Sequence, residues 1–218
     1  MTKRSIMDEL SRCLYPDRTA FKADPFGYSS LALERWKILQ DMEGSQKNLG
    51  QNTLRQELNS PELWLCQAQA LTEAAITVLK NEPDFKPFPK ILTGICDSQY
   101  CAVGIMLAGY SLEVCLKGML IRKESVDGYL AQEKDRYHHR LEELGKIVPA
   151  LSDKDKSILR LLTEFITWAG RYPAPKPNKE NCREEIFSSS EAQRITAYDL
   201  IELCSRVVKH GQFVVSPP

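Results

Sequence analysis

The chain has 218 residues, 43% hydrophobic and 27% charged, enough to bury a core without disulfides or a structural metal. Lys plus Arg equals Asp plus Glu at 29 each, and zero net charge excludes the broad basic field of a general nucleic-acid binder while leaving room for a local basic patch. Seven cysteines without a CxxC pair, and histidines at 138, 139 and 210 far from paired thiols, exclude zinc spacing and point to a reducing cytosol.

The N-terminus, Met1 to Leu10, has no apolar h-region and does not read as a secretory signal. Residues 1–59 read as an extension. Within it, Tyr15 to Tyr28 holds Pro16, Pro25 and Gly27 and reads as a loop, whereas Leu31 to Met42 has helical spacing. Glu43 to Asn59 is polar with two glycines and reads as a linker.

A helical bundle is expected from 60 to 218. Asn59 and Glu62 form a capping-box pattern around Pro61, and Leu63 to Leu79 carries apolar residues at helical spacing. Three prolines between Asn81 and Pro89 end that helix. The central helix is expected from an N-cap at Asp97 to about Lys123. Its stretch Cys101 to Ile121 reaches membrane-spanning length, but Glu113 and Lys117 in its second half favour a buried core helix over a membrane span. At about 100° per residue, Gly104, Ser111 and Gly118 form a small-residue seam with Ala108 and Cys115 beside it. Met106, Tyr110, Glu113 and Lys117 fall on the far side.

Leu141 to Val148 reads as a short amphipathic helix. Ser152 caps the next one, whose stripe is Ile158, Leu161, Leu162, Phe165 and Ile166 until Gly170 and the prolines stop it. Ser188 and Glu191 predict a capping box opening a last helix to His210, with Gly211 as its stop. That helix has a stripe of Ala197, Leu200, Ile201, Cys204 and Val208, with Arg206 and His210 opposite. No strand-like alternation appears, so the fold class is all-α, a bundle of about five to seven helices.

Four constellations carry chemistry. Glu113 and Lys117, at i,i+4, are either an edge salt bridge or a charged pair lining a cleft. His138 and His139, within Arg136 to Arg140, either cap and pack a helix start or bind an anion. Arg171, in the turn Trp168 to Pro173, either complements a helix dipole or joins Tyr172 in binding a base or phosphate. Arg206 either pairs with Glu202 on a solvated face or joins His210 in a second interface or an RNA-facing site. Otherwise apolar or turn-forming segments deliver Glu113, Lys117, His139, Arg171 and Tyr172, which form the first-choice pocket. In it His139 and Arg171 are the catalytic candidates and Glu113, Lys117 and Tyr172 the ligand-binding ones. Arg206 and His210 are the second choice. No phosphate loop, GxSxG, HExxH or spaced carboxylate cluster is present, so no metal or cofactor is expected.

The run Leu107-Ala-Gly-Tyr-Ser-Leu-Glu-Val-Cys-Leu-Lys-Gly-Met-Leu-Ile121 resembles the central helix of HEPN-domain proteins, with their small-residue/Leu-Glu-x-x-Leu-Lys pattern. His139-Arg-Leu-Glu-Glu-Leu144 is similar to the His-x-Leu-x-x-Leu opening of the helix that follows. Trp168-Ala-Gly-Arg-Tyr-Pro173 resembles a segment in bacterial proteins of this type. The likeness spans Ser60 to Gln212 in order.

The resemblance implies a cytoplasmic helical bundle that usually dimerises. Many such proteins are metal-independent ribonucleases of toxin–antitoxin or antiphage systems. Others have lost activity and bind partners or nucleotides. The family's catalytic signature is Arg, four to six residues, then His. Here Arg206 and His210 have three residues between them, so the resemblance implies an RNA- or nucleotide-associated protein of a stress or defence system without settling cleavage. A non-catalytic protein–protein interaction module is the rival expectation. A basic, aromatic-lined cleft favours RNA, and a neutral apolar groove favours a protein partner.

Overall fold

The computed structural model describes residues 15, 17–42, 59–132, 138–175 and 181–215. The chain divides into two compact units, Met1–Leu58 and Asn59–Pro218. Among the described residues there are eight α-helices and no strand.

In the first unit, α1 spans Thr19–Ala23 and α2 spans Pro25–Met42. The loop expected over 15–28 is therefore largely helical. Proline suits a first helical turn, where its missing N–H has no partner to lose. Asp24 just before it accepts the Gly27 N–H at 2.8 Å and caps the turn. Residues 43–58, expected as a linker, lie outside the described residues.

The second unit is organised around one helix. α3 spans Pro61–Lys80, and the hydroxyl of Ser60 bonds the Glu62 carboxylate at its start. A 3-10 turn, Lys90–Leu92, leads into α4, Thr93–Ala131, which begins four residues before the expected Asp97 cap. Ser125 interrupts α4 with a φ of 67°. Its hydroxyl accepts the Gly128 N–H and so caps the trailing turn.

α3 and α4 run antiparallel along the small-residue seam. A Cβ at Gly104 would meet Leu79 at 2.7 Å, and one at Gly118 would meet Trp64 at 3.1 Å. Between them the buried Ser111 hydroxyl bonds the Ala68 carbonyl at 2.9 Å and Thr72 at 2.6 Å. The seam therefore works through side chains that are absent, with one internal polar contact satisfied.

α5 is Leu141–Leu144, continued by a 3-10 turn, Gly145–Ile147, and α6 is Asp153–Glu164. The Ser152–Asp155 capping box opens α6. A π-helical turn, Phe165–Ala169, then carries the chain to Gly170. α7 is Cys182–Ala192 and α8 is Ala197–Val215.

The expected Ser188–Glu191 box is overturned. Ser188 lies inside α7, its hydroxyl bonded to the Glu185 carbonyl, and the chain breaks at Arg194 with a φ of 48°. Thr196 and Asp199 make the reciprocal contacts that start α8. Gly211 does not stop α8. A Cβ there would meet the Cys115 sulfur at 2.6 Å, so this glycine permits close helix approach. Leu203 and Val207 are buried, while Ala197 and Ile201 are exposed, which rotates the inward face from the expected stripe.

α4 thus meets α3 on one side, α8 through Cys115 on another, and α5, α6 and the π turn on a third. By length and composition α4 could cross a membrane, but 61% of its most apolar window is buried inside the unit. Leu112, Leu116 and Met119 at its middle are wholly inaccessible.

Candidate functional site

The third side of α4 carries the polar residues. Glu113 and Lys117 stand one helical turn apart with side chains only 7% and 13% exposed. A carboxylate so placed costs several kcal/mol, on the order of 3–5, once its partner is lost. Lys117 Nζ donates to Glu113 Oε1 at 2.6 Å. The other oxygen, Oε2, lies 2.9 Å from His139 Nδ1.

An ionised carboxylate only accepts hydrogen bonds, so His139 carries its proton on Nδ1 and leaves Nε2 without one in the neutral ring. The imidazole is nearly half exposed, at the mouth of the pair. Its backbone is held close by: Leu141 N–H donates to the Thr163 hydroxyl at 3.1 Å, and Leu141 and Leu144 are buried. Tyr110 presents its ring edge-on to His139 at 6.4 Å and anchors its own hydroxyl on the Ile166 carbonyl at 3.2 Å. Tyr110 was not among the expected site residues, although it shares the helical stripe of Glu113.

Beside this dyad a cleft of about 320 Å³ holds Lys123, His138, Glu143 and Lys146. Burial, then Arg140 and Lys117, push the His138 pKa below its ordinary value, which favours the neutral ring. Lys146 pairs with Glu143 and holds that carboxyl low.

No family model, curated protein or solved structure matches this chain.

The first-choice pocket divides in two. Glu113, Lys117 and His139 come together, but Arg171 and Tyr172 line a separate cleft with Gln99 and Val103. Val103 and Glu113 are ten residues apart on one helix, about 15 Å at 1.5 Å per residue. Within one chain, Arg171 therefore does not serve His139 as the expected catalytic partner.

Of the second choice, Arg206 is committed elsewhere. Its guanidinium bonds the buried Asp155 carboxylate in the α6 capping box, so the expected Glu202 pairing gives way to a tie between helices. Burial raises the Asp155 pKa, but the Ser152 backbone and hydroxyl bonds and Arg206 outweigh it and hold the carboxyl below its ordinary value. His210 is half-buried one turn from Arg206 and has no hydrogen bond or ion pair among the described residues.

A third feature is an apolar cavity of about 330 Å³ between α3 and α8, floored by Ala108 and walled by Ile76, Leu79, Leu200 and Val208. Cys204 on its wall has its thiol pushed up to about 12 by burial, so it is protonated and a poor nucleophile at neutral pH. Among the described residues no group of three or more His, Cys, Asp or Glu could hold a metal ion.

Proposed function

We propose that this is a HEPN-like, cytoplasmic, homodimeric protein of a stress, defence or toxin–antitoxin system, and that it associates with RNA or nucleotides through the Glu113–Lys117–His139 site. The observation that carries this reading is the buried Glu113 carboxylate holding Nδ1 of a half-exposed histidine. A carboxylate in that role orients the ring and leaves Nε2 to exchange a proton with a bound group. For a ribose 2′-hydroxyl next to a phosphodiester, Nε2 would accept the hydroxyl proton as the 2′-oxygen attacks phosphorus, and the 5′-oxygen would leave as a hydroxyl with a proton from solvent. Lys123 and His138 flank the site and supply donors for phosphate.

The test is binding and cleavage of short single-stranded RNAs in EDTA by the parent, His139→Ala and His210→Ala proteins. The proposal expects RNA binding by the parent, weakened by His139→Ala and not by His210→Ala. If cleavage occurs, it should follow the same pattern. No RNA or nucleotide binding by the parent would overturn it.

A second reading, a non-catalytic module for a protein partner, is supported by the mostly apolar cavity between α3 and α8. Small residues at Ala75 and Ala108 leave that space open.

A further inference from the structure

We propose that the cleft under the Arg171–Tyr172 turn is a nucleotide subsite separate from the His139 site, taking a base on the Tyr172 ring and its phosphate on Arg171. The nucleotide class rests on the RNA-associated reading above, whereas the cleft stands on its own geometry.

The turn is held from below. The π-helical turn Phe165–Ala169 brings Gly170 onto α4, where a Cβ would meet the Met106 Cβ at 2.4 Å and the Ala102 carbonyl at 2.9 Å. Only a residue without a side chain lets the backbone come this close, and π turns of this kind often mark functional sites. Gly170 N–H bonds the Phe165 carbonyl and Tyr172 N–H the Trp168 carbonyl, at 3.0 and 2.9 Å. Trp168 is itself buried and donates its indole N–H to Glu164 at 2.8 Å. An exposed cation and ring are thus carried on a backbone anchored at Trp168 and Gly170.

On that support the Arg171 guanidinium lies 5.2 Å over the Tyr172 ring and reaches its hydroxyl at 3.3 Å. No carboxylate pairs with Arg171 among the described residues, so its remaining N–H donors face solvent. The opposite wall, on α4, supplies the apolar side chain of Val103 and the amide of Gln99. The space, about 260 Å³, is lined by Tyr172, Val103, Gln99 and Arg171: an aromatic ring, an apolar side chain, an amide with donor and acceptor, and a guanidinium with no carboxylate partner among the described residues. Sequence-tolerant recognition of a base with its phosphate uses these same parts.

Gln99, Val103, Met106, Tyr110, Glu113 and Lys117 follow one another at three- and four-residue steps, so both sites lie on one stripe of α4. A strand bound at His139 would therefore have a flanking nucleotide about 15 Å away along that stripe.

The experiment is calorimetric titration of the full chain with adenosine 5′-monophosphate and, separately, with a single-stranded RNA hexamer. The parent, Tyr172→Ala, Tyr172→Phe, Gln99→Ala and His139→Ala proteins are compared. All three positions are exposed, so the variants should fold, which circular dichroism verifies.

We expect the mononucleotide to bind the parent. Tyr172→Ala should weaken it about tenfold, Gln99→Ala several-fold and Tyr172→Phe little, while His139→Ala should weaken binding of the hexamer. Mononucleotide binding that Tyr172→Ala leaves intact, or that is absent while the hexamer binds, overturns the subsite and spares the RNA reading. Mononucleotide binding lost in Tyr172→Ala, with the hexamer bound no more tightly, upholds the subsite and counts against the RNA reading.

Discussion

Two faces of α4 solve opposite problems. The face toward α3 carries Gly104, Ser111 and Gly118, and its contacts form because side chains are missing. The face toward α5 and α6 carries Tyr110, Glu113 and Lys117, where long polar side chains are buried and must satisfy one another. The first kind of face needs only shape. The second pays a desolvation cost that packing alone would avoid, because apolar residues would fill the same volume without it. That difference is what directs the functional reading to the second face.

Breaking the polar face should have the largest effect. Lys117→Ala leaves Glu113 without its closest partner and should destabilise the fold by about 3–5 kcal/mol in urea denaturation. Replacing both residues by leucine should recover most of that loss while abolishing ligand binding. A stability loss that the double variant retains would mean that the pair serves the fold alone.

The seam comes next. Gly104→Leu should cost about 1–3 kcal/mol, because a Cβ alone would already meet Leu79 at 2.7 Å. Ser111→Ala removes one satisfied buried hydroxyl and should cost about 1 kcal/mol. RNA binding should survive both changes wherever the protein still folds. If the seam variants lose binding at full stability, the two faces are not independent.

The smallest effects should appear in acid, away from both faces. Lys154 and then Thr196 hold the Asp199 pKa at about 2, and Asp155 is also depressed. Both groups bind protons more weakly folded than at the ordinary value of 3.8. Their stabilisation is therefore present above about pH 4 and is lost as pH falls through the folded values. Asp155→Asn and Asp199→Asn should each flatten the fall in melting temperature between pH 4 and pH 2.

Periodicity was enough to find most of the helices and both faces of α4, but not α1 or α7. Apolar and small residues repeat with the helix, and Glu113 with Lys117 interrupts an otherwise apolar run. The failures were local or long-range. Ser188 with Glu191 and Thr196 with Asp199 both satisfy the capping pattern, and the decisive break at Arg194 takes a left-handed conformation without the glycine that usually announces it. Gly211 has the signature of a helix stop, yet serves contact with Cys115, which lies 96 positions earlier. Asp155 claims Arg206 across 51 residues, and no spacing rule reports that. His139 meets Glu113 for the same reason the first-choice pocket split: the sequence names polar residues, but the path of the chain around α4 decides which of them meet.

The Glu113 contact at Nδ1 sets the tautomer of His139. This is tested most directly by nitrogen-15 long-range correlation spectra of the imidazole rings at a pH where they are neutral. Only three histidines need assigning, and His139→Ala identifies the signal. His139 should be protonated on Nδ1 with a bare Nε2. A His139 protonated on Nε2, or one exchanging freely between both forms, would contradict it.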